Sequence, residues 1–95
     1  MGLNGKIWLL CNPNAGHGRA LKLFDEAKEI LPEVELRMIE GPKHAAHLVE
    51  EALDSNCDRI VVAGGDGTIN VSAGPMIGKA VPLGIIPMVS FFQCL

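Results

Sequence analysis

Ninety-five residues with eight Lys and Arg, eleven Asp and Glu and a net charge of −3 confine the chain to one small domain and offer no basic face for general nucleic-acid binding. The 48% hydrophobic content excludes a disordered chain. No apolar stretch reaches the length of a transmembrane helix and no signal-type segment opens the sequence, so a soluble, cytoplasmic chain is the default expectation.

The apolar run Lys6-Ile7-Trp8-Leu9-Leu10-Cys11 predicts a first strand, with Trp8 in the core. Ala20, Leu21, Phe24, Ala27, Ile30 and Leu31, spaced by threes and fours, predict a helix from about Gly18 to Leu31, its Lys22, Asp25, Glu26 and Glu29 toward water. Pro32 helps to end it. Val34 to Ile39 alternates at first and predicts a second strand with one wetter face. Pro42 opens a second helix that packs through Ala45, Leu48, Val49, Ala52 and Leu53 and ends near Asp54-Ser55-Asn56. Asp58 to Ala63 is a continuous apolar run of the kind a parallel sheet covers on both faces. A third helix is expected from Thr68 to about Ile77, weakened by Gly74-Pro75, and Val81 to Pro87 predicts a fourth strand. The order β-α-β-α-β-α-β implies a three-layer α/β/α domain with a mostly parallel sheet.

Two turns carry the chemistry. Ala63-Gly64-Gly65-Asp66-Gly67-Thr68 follows the third strand, and Asn12-Pro13-Asn14-Ala15-Gly16-His17-Gly18 follows the first. Glycine tolerates positive φ and close approach, so successive N–H groups can face one concavity, and a helix starting at about Thr68 adds unpaired amides suited to phosphate oxygens. Ligands of such sheets sit beyond the carboxyl ends of the strands, where both turns fall. Other residues take plainer readings. Cys11, Cys57 and Cys94 lack CxxC spacing and fit reduced thiols, Cys11 as a small buried hydrophobe. His17 reads as a solvated loop residue, and His44 and His47 as a wet helix face with a His47–Glu51 pair, not a metal site. Arg19 is the cation nearest the first turn in sequence.

Asn12 to Gly18, Gly64-Gly65-Asp66-Gly67-Thr68-Ile69-Asn70 and Pro82-Leu83-Gly84-Ile85-Ile86-Pro87 together resemble, in order and spacing, the amino-terminal catalytic half of diacylglycerol kinase and sphingosine kinase-type lipid kinases. The GGDGT motif alone is also similar to those of NAD kinases and phosphofructokinases; the upstream Asn-Pro turn favours the lipid kinases. The resemblance spans about residues 5 to 87 and implies an NAD kinase/diacylglycerol kinase-like amino-terminal domain. It also implies transfer of the ATP γ-phosphoryl group to a lipid hydroxyl with Mg²⁺. By the family pattern Gly65, Asp66, Gly67, Thr68 and Asn70 line the nucleotide site, supported by Asn12 and Gly16. Asp66 is the candidate Mg²⁺ ligand and the one candidate for a catalytic role; holding the loop or a ribose hydroxyl are equal readings. ATP and a lipid are the expected partners, nucleic acid is not, and peripheral membrane contact of a parent enzyme is compatible with the likeness.

The sequence departs from that family at three places. Val71 stands where many members carry Glu, and Ile39 where many carry a nucleotide-contacting Thr. After Pro87 the chain reads Met88-Val89-Ser90-Phe91-Phe92-Gln93-Cys94-Leu95 in place of a Gly-Thr-x-Asn loop. No counterpart of the family's β-rich second domain follows, so residues 1–95 read as a single partial domain, a truncated form. The alternatives are a non-catalytic nucleotide-binding fragment and a fragment of an NAD kinase-like enzyme.

Overall fold

Four apolar runs become four strands of one sheet, each followed or preceded by a helix that covers it. The computed structural model describes residues 6–14, 18–30 and 33–88. In chain order the elements are β1 (Ile7–Cys11), α1 (Arg19–Ile30), β2 (Glu35–Met38), α2 (Pro42–Asp54), β3 (Arg59–Gly64), α3 (Asp66–Ala73), a short 3₁₀ turn (Gly74–Met76) and β4 (Leu83–Pro87). The strand order is β2-β1-β3-β4 and every neighbouring pair is parallel.

The pleat sends alternate side chains of β1 and β3 to opposite faces, which makes two cores. Trp8, Leu10, Ile60 and Val62 pack with Ala45, Leu48, Val49 and Ala52 of α2, with Ile69 and Val71 of α3 beside them. Leu9, Cys11 and Ala63 pack on the other face with Ala20, Leu23, Phe24 and Ala27 of α1. Helices on both faces of a parallel sheet give the three layers expected. The small Ala20 and Ala27 bring α1 close, and this selects its inner face. Leu21 and Ile30, expected in the packed stripe, are instead 40% and 73% exposed. The expected end of this helix at Leu31 and Pro32 lies outside the described residues.

Pro42 stands at the start of α2, where its missing N–H costs nothing, and Gly41 precedes it. At the other end the Ser55 hydroxyl donates to the Ala52 carbonyl at 2.7 Å, and Asn56 takes the left-handed conformation at φ 61°.

The wet face of β2 is also a clamp. Trp8 and Leu10 lie beside Glu35 and Arg37 in register, so the two charged residues point to the α2 side. The Arg37 guanidinium lies 4.7 Å from the Trp8 ring centroid, while its Nε meets Glu35 at 2.8 Å and its Nη1 meets Glu51 at 3.0 Å. The hydrogen bond to Glu35 raises the guanidinium pKa further, so the cation is permanent. Glu51 is therefore taken by β2, and His47 faces Glu50 at 3.9 Å, not Glu51 as the helical spacing suggested. Arg37→Ala is expected to lower stability by about 1 kcal/mol, with Arg37→Lys restoring only part of it, because the flat cation covers the indole ring as well as pairing. Urea denaturation at low and high salt checks this: the ion-pair share fades with salt and the stacking share does not.

Candidate functional site

The chain leaving β1 turns toward α1 on one face, and the chain leaving β3 turns toward α3 on the other. Because β1 and β3 are neighbours, their carboxyl ends flank the point where the winding of the sheet reverses, which opens a crevice there. Hydrogen bonds just beyond the strands fix that rim. Asn12 N–H donates to the Ala63 carbonyl at 3.0 Å, Ile39 N–H to Cys11 at 2.7 Å and Met88 N–H to Gly64 at 2.9 Å.

Asn12 ties the two small-residue turns together. Its Oδ1 accepts the Asn14 N–H at 3.0 Å, a local turn that asparagine favours. Its Nδ2 donates to Thr68 Oγ1, also at 3.0 Å, across 56 residues of sequence. Both amide atoms are thus engaged, and the Thr68 hydroxyl, having accepted, keeps its own proton to donate.

The helix after β3 starts earlier than expected. Gly65, extended at φ −86° and ψ −177°, is the residue before it, and Asp66 is its first residue. An acid at the head of a helix is favoured by the positive end of its dipole, which overrides reading Asp66-Gly67 as turn. The first bond of the helix runs from Ile69 N–H to the Gly65 carbonyl at 3.0 Å, so the N–H groups of Asp66, Gly67 and Thr68 have no partner within it. The helix also ends sooner, at Ala73, with the 3₁₀ turn from Gly74 to Met76 in place of its last turn. Buried Ser72 donates to the Thr68 carbonyl at 2.7 Å and so stays satisfied inside it.

Positive φ is not what the glycines of this turn supply, since only Gly18 and Gly78 among the described glycines adopt it. Closeness is what they supply. A Cβ on Gly64 would lie 3.0 Å from both Thr68 Cβ and Cγ2, so any larger residue there would press on Thr68 and push it by a few tenths of an ångström. A Cβ on Gly67 would meet nothing within 4 Å, because that position opens into the crevice.

The crevice holds about 490 Å³. Three elements wall it: the turn after β1 (Asn12, Pro13, Asn14), the turn before α2 (Ile39, Glu40, Gly41) and α3 (Gly67, Thr68, Val71). Of the expected site residues, Asn12, Gly67 and Thr68 line it together. Gly65 stands behind them as the cap of α3, and Asp66 and Asn70 are exposed on that helix outside the lining. Gly16, like His17, lies outside the described residues. Ile39, flagged as a family nucleotide-contact position, does line the crevice, whereas Glu40 and Gly41 were missed; their position after a strand carboxyl end was the available signal. Ile39 and Val71 give the crevice two apolar contacts, Ile39 being buried. Cys11 sits beneath the rim, and burial pushes its thiol up to about 11, which keeps it protonated and unfit as a nucleophile.

A doubly wound parallel sheet with a glycine-rich strand–helix corner at its point of reversal defines an α/β domain with a crevice at the strand carboxyl ends. The chain belongs to the diacylglycerol kinase catalytic domain family, whose sequence model matches residues 6–90. It is 37% identical over 87 residues to a diacylglycerol kinase of Mycobacterium tuberculosis, covering 87% of this chain and 28% of that protein. It is 32% identical over 95 residues to sphingoid long-chain bases kinase 1 of Arabidopsis thaliana, covering 86% of this chain and 12% of the relative. The crystal structure of a diacylglycerol kinase from Bacillus anthracis superposes with a TM-score of 0.72 at 26% identity, over 90% of this chain and 33% of that one. The solution structure of a phosphate-loop protein shares the fold at a TM-score of 0.69 and 20% identity, over 94% of this chain and 84% of that one. The chain thus spans less than a third of the length of the curated lipid-kinase relatives described.

Proposed function

We propose that this chain is the nucleotide-binding portion of a lipid kinase, gripping the ATP phosphates at the corner of β3 and α3 and directing the γ-phosphoryl group toward a lipid hydroxyl. One observation carries the reading: the Asn12–Thr68 hydrogen bond joins the two turns on one rim, beside a crevice that the head of α3 lines with Gly67 and Thr68. Phosphoryl transfer asks mainly for positioning and charge neutralisation, which fixed amides and a hydroxyl supply without reorganising.

Among the described residues no group of three His, Cys, Asp or Glu side chains could cage a metal. Exposed Asp66 alone, next to Gly67, suits a Mg²⁺ carried in on the phosphates, since that ion commonly takes one or two carboxylates and completes its shell with phosphate oxygens and water. Bound there, Mg²⁺ would offset phosphate charge. The chain's own part is to hold the phosphates with Asp66, Gly67 and Thr68 amides and the Thr68 hydroxyl, with Asn12 keeping that hydroxyl in place. Gly65 sets the start of the helix, and Asn70 and Gly16 complete the proposed set from the family pattern. The acceptor is a lipid alcohol, either a diacylglycerol or a sphingoid base, by the names of the relatives.

Calorimetric titration tests this directly. Saturable binding of ATP is expected with Mg²⁺ and is expected to weaken about tenfold with EDTA; Asp66→Ala is expected to bind weakly and to lose most of that Mg²⁺ dependence. Equal binding by wild type and Asp66→Ala, with or without Mg²⁺, would remove Asp66 from the site, and no binding by the wild type would remove the nucleotide.

A further inference from the structure

One crevice wall is held in an unusual way. The turn Ile39-Glu40-Gly41 is anchored at its start by Ile39 N–H on the Cys11 carbonyl at 2.7 Å. At Glu40 the backbone N–H donates to Nδ1 of His44, at 2.9 Å, from the first turn of α2. Gly41 then hands the chain to Pro42, which has no N–H to give. Between the sheet and the helix, the His44 imidazole is therefore the side chain that pins this turn. Nδ1 can accept only while it carries no proton. A protonated ring would lose the bond and would also place a positive charge in the first turn of a helix, where the dipole disfavours it.

We infer that His44 is a positioning residue of the nucleotide crevice, holding the Glu40 turn in place through the hydrogen bond that its Nδ1 accepts. The inference rests on the nucleotide reading above but is separable from it, because the turn can be followed without a ligand.

The test compares wild type with His44→Ala, which has no acceptor, and His44→Asn, whose Oδ1 can accept. Mg·ATP affinity is measured by calorimetry, and the exchange of the Glu40 amide is followed by NMR in the absence of nucleotide. His44→Ala is expected to bind about three- to fivefold more weakly than wild type, and His44→Asn to recover most of the loss. Glu40 amide protection is expected to follow the same pattern. Wild-type affinity retained in His44→Ala would overturn the inference. So would a Glu40 amide whose protection is the same in all three proteins. If wild type binds no nucleotide, the nucleotide reading fails and the amide measurement alone decides whether His44 holds the turn.

Discussion

Gly67→Val is expected to abolish saturable Mg·ATP binding, a loss of more than about fiftyfold, while the protein keeps its fold. The two halves of that expectation come from different facts. A Cβ at this position meets no atom within 4 Å, so nothing in the protein has to move. Valine is also no worse than glycine inside a helix, glycine being the poorer helix former by a few tenths of a kcal/mol. Yet Gly67 lines the crevice at the head of α3, in the turn whose first amides have no partner within the helix. A branched side chain there occupies the space a phosphate oxygen needs. Calorimetry for binding and circular dichroism for the melt check the two halves together. Binding retained with valine in place would mean that the phosphates lie elsewhere along the rim.

Leu10→Ala is expected to destabilise the chain by about 3 kcal/mol and to lower Tm by about 10–20 °C. Leu10 is fully buried in β1, one of the two inner strands, and packs in the core that α2 closes. Removing it leaves a cavity beneath a sheet too short to collapse around it, and a domain of this size has only about 5–10 kcal/mol to lose. Leu10→Ile, which keeps the volume, is expected to cost less than about 1.5 kcal/mol. Thermal melts of the pair separate lost packing from a mere change of residue; equal melts would place Leu10 outside the cooperative core.

The strands were legible because each is an apolar run bounded by small or polar residues, and a run such as Ile60-Val61-Val62-Ala63 has few other uses. Both small-residue corners were legible for the same reason. Three features depended on contacts that no local pattern carries. The outward turn of Leu21 and Ile30 follows from the closeness Ala20 and Ala27 permit, and alanines look neutral in a stripe. Glu51 was assigned to His47 by helical spacing, but Arg37 reaches it from a strand. The start of α3 was placed late because Gly65-Asp66-Gly67 has turn composition, whereas an extended Gly65 frees Asp66 to head the helix. Within the site, Asn12, Gly67 and Thr68 came from motif and position 39 from the family pattern, and Glu40 and Gly41 came only with the third dimension.

The sheet order also dictates when the crevice can exist. β1 must find β3 by closing a loop of about fifty residues that contains β2 and two helices, and such distant pairing pays its chain entropy before any contact rewards it. The Asn12–Thr68 bond lies across that late seam, so the crevice it braces is not assembled in a growing chain until the third strand has docked.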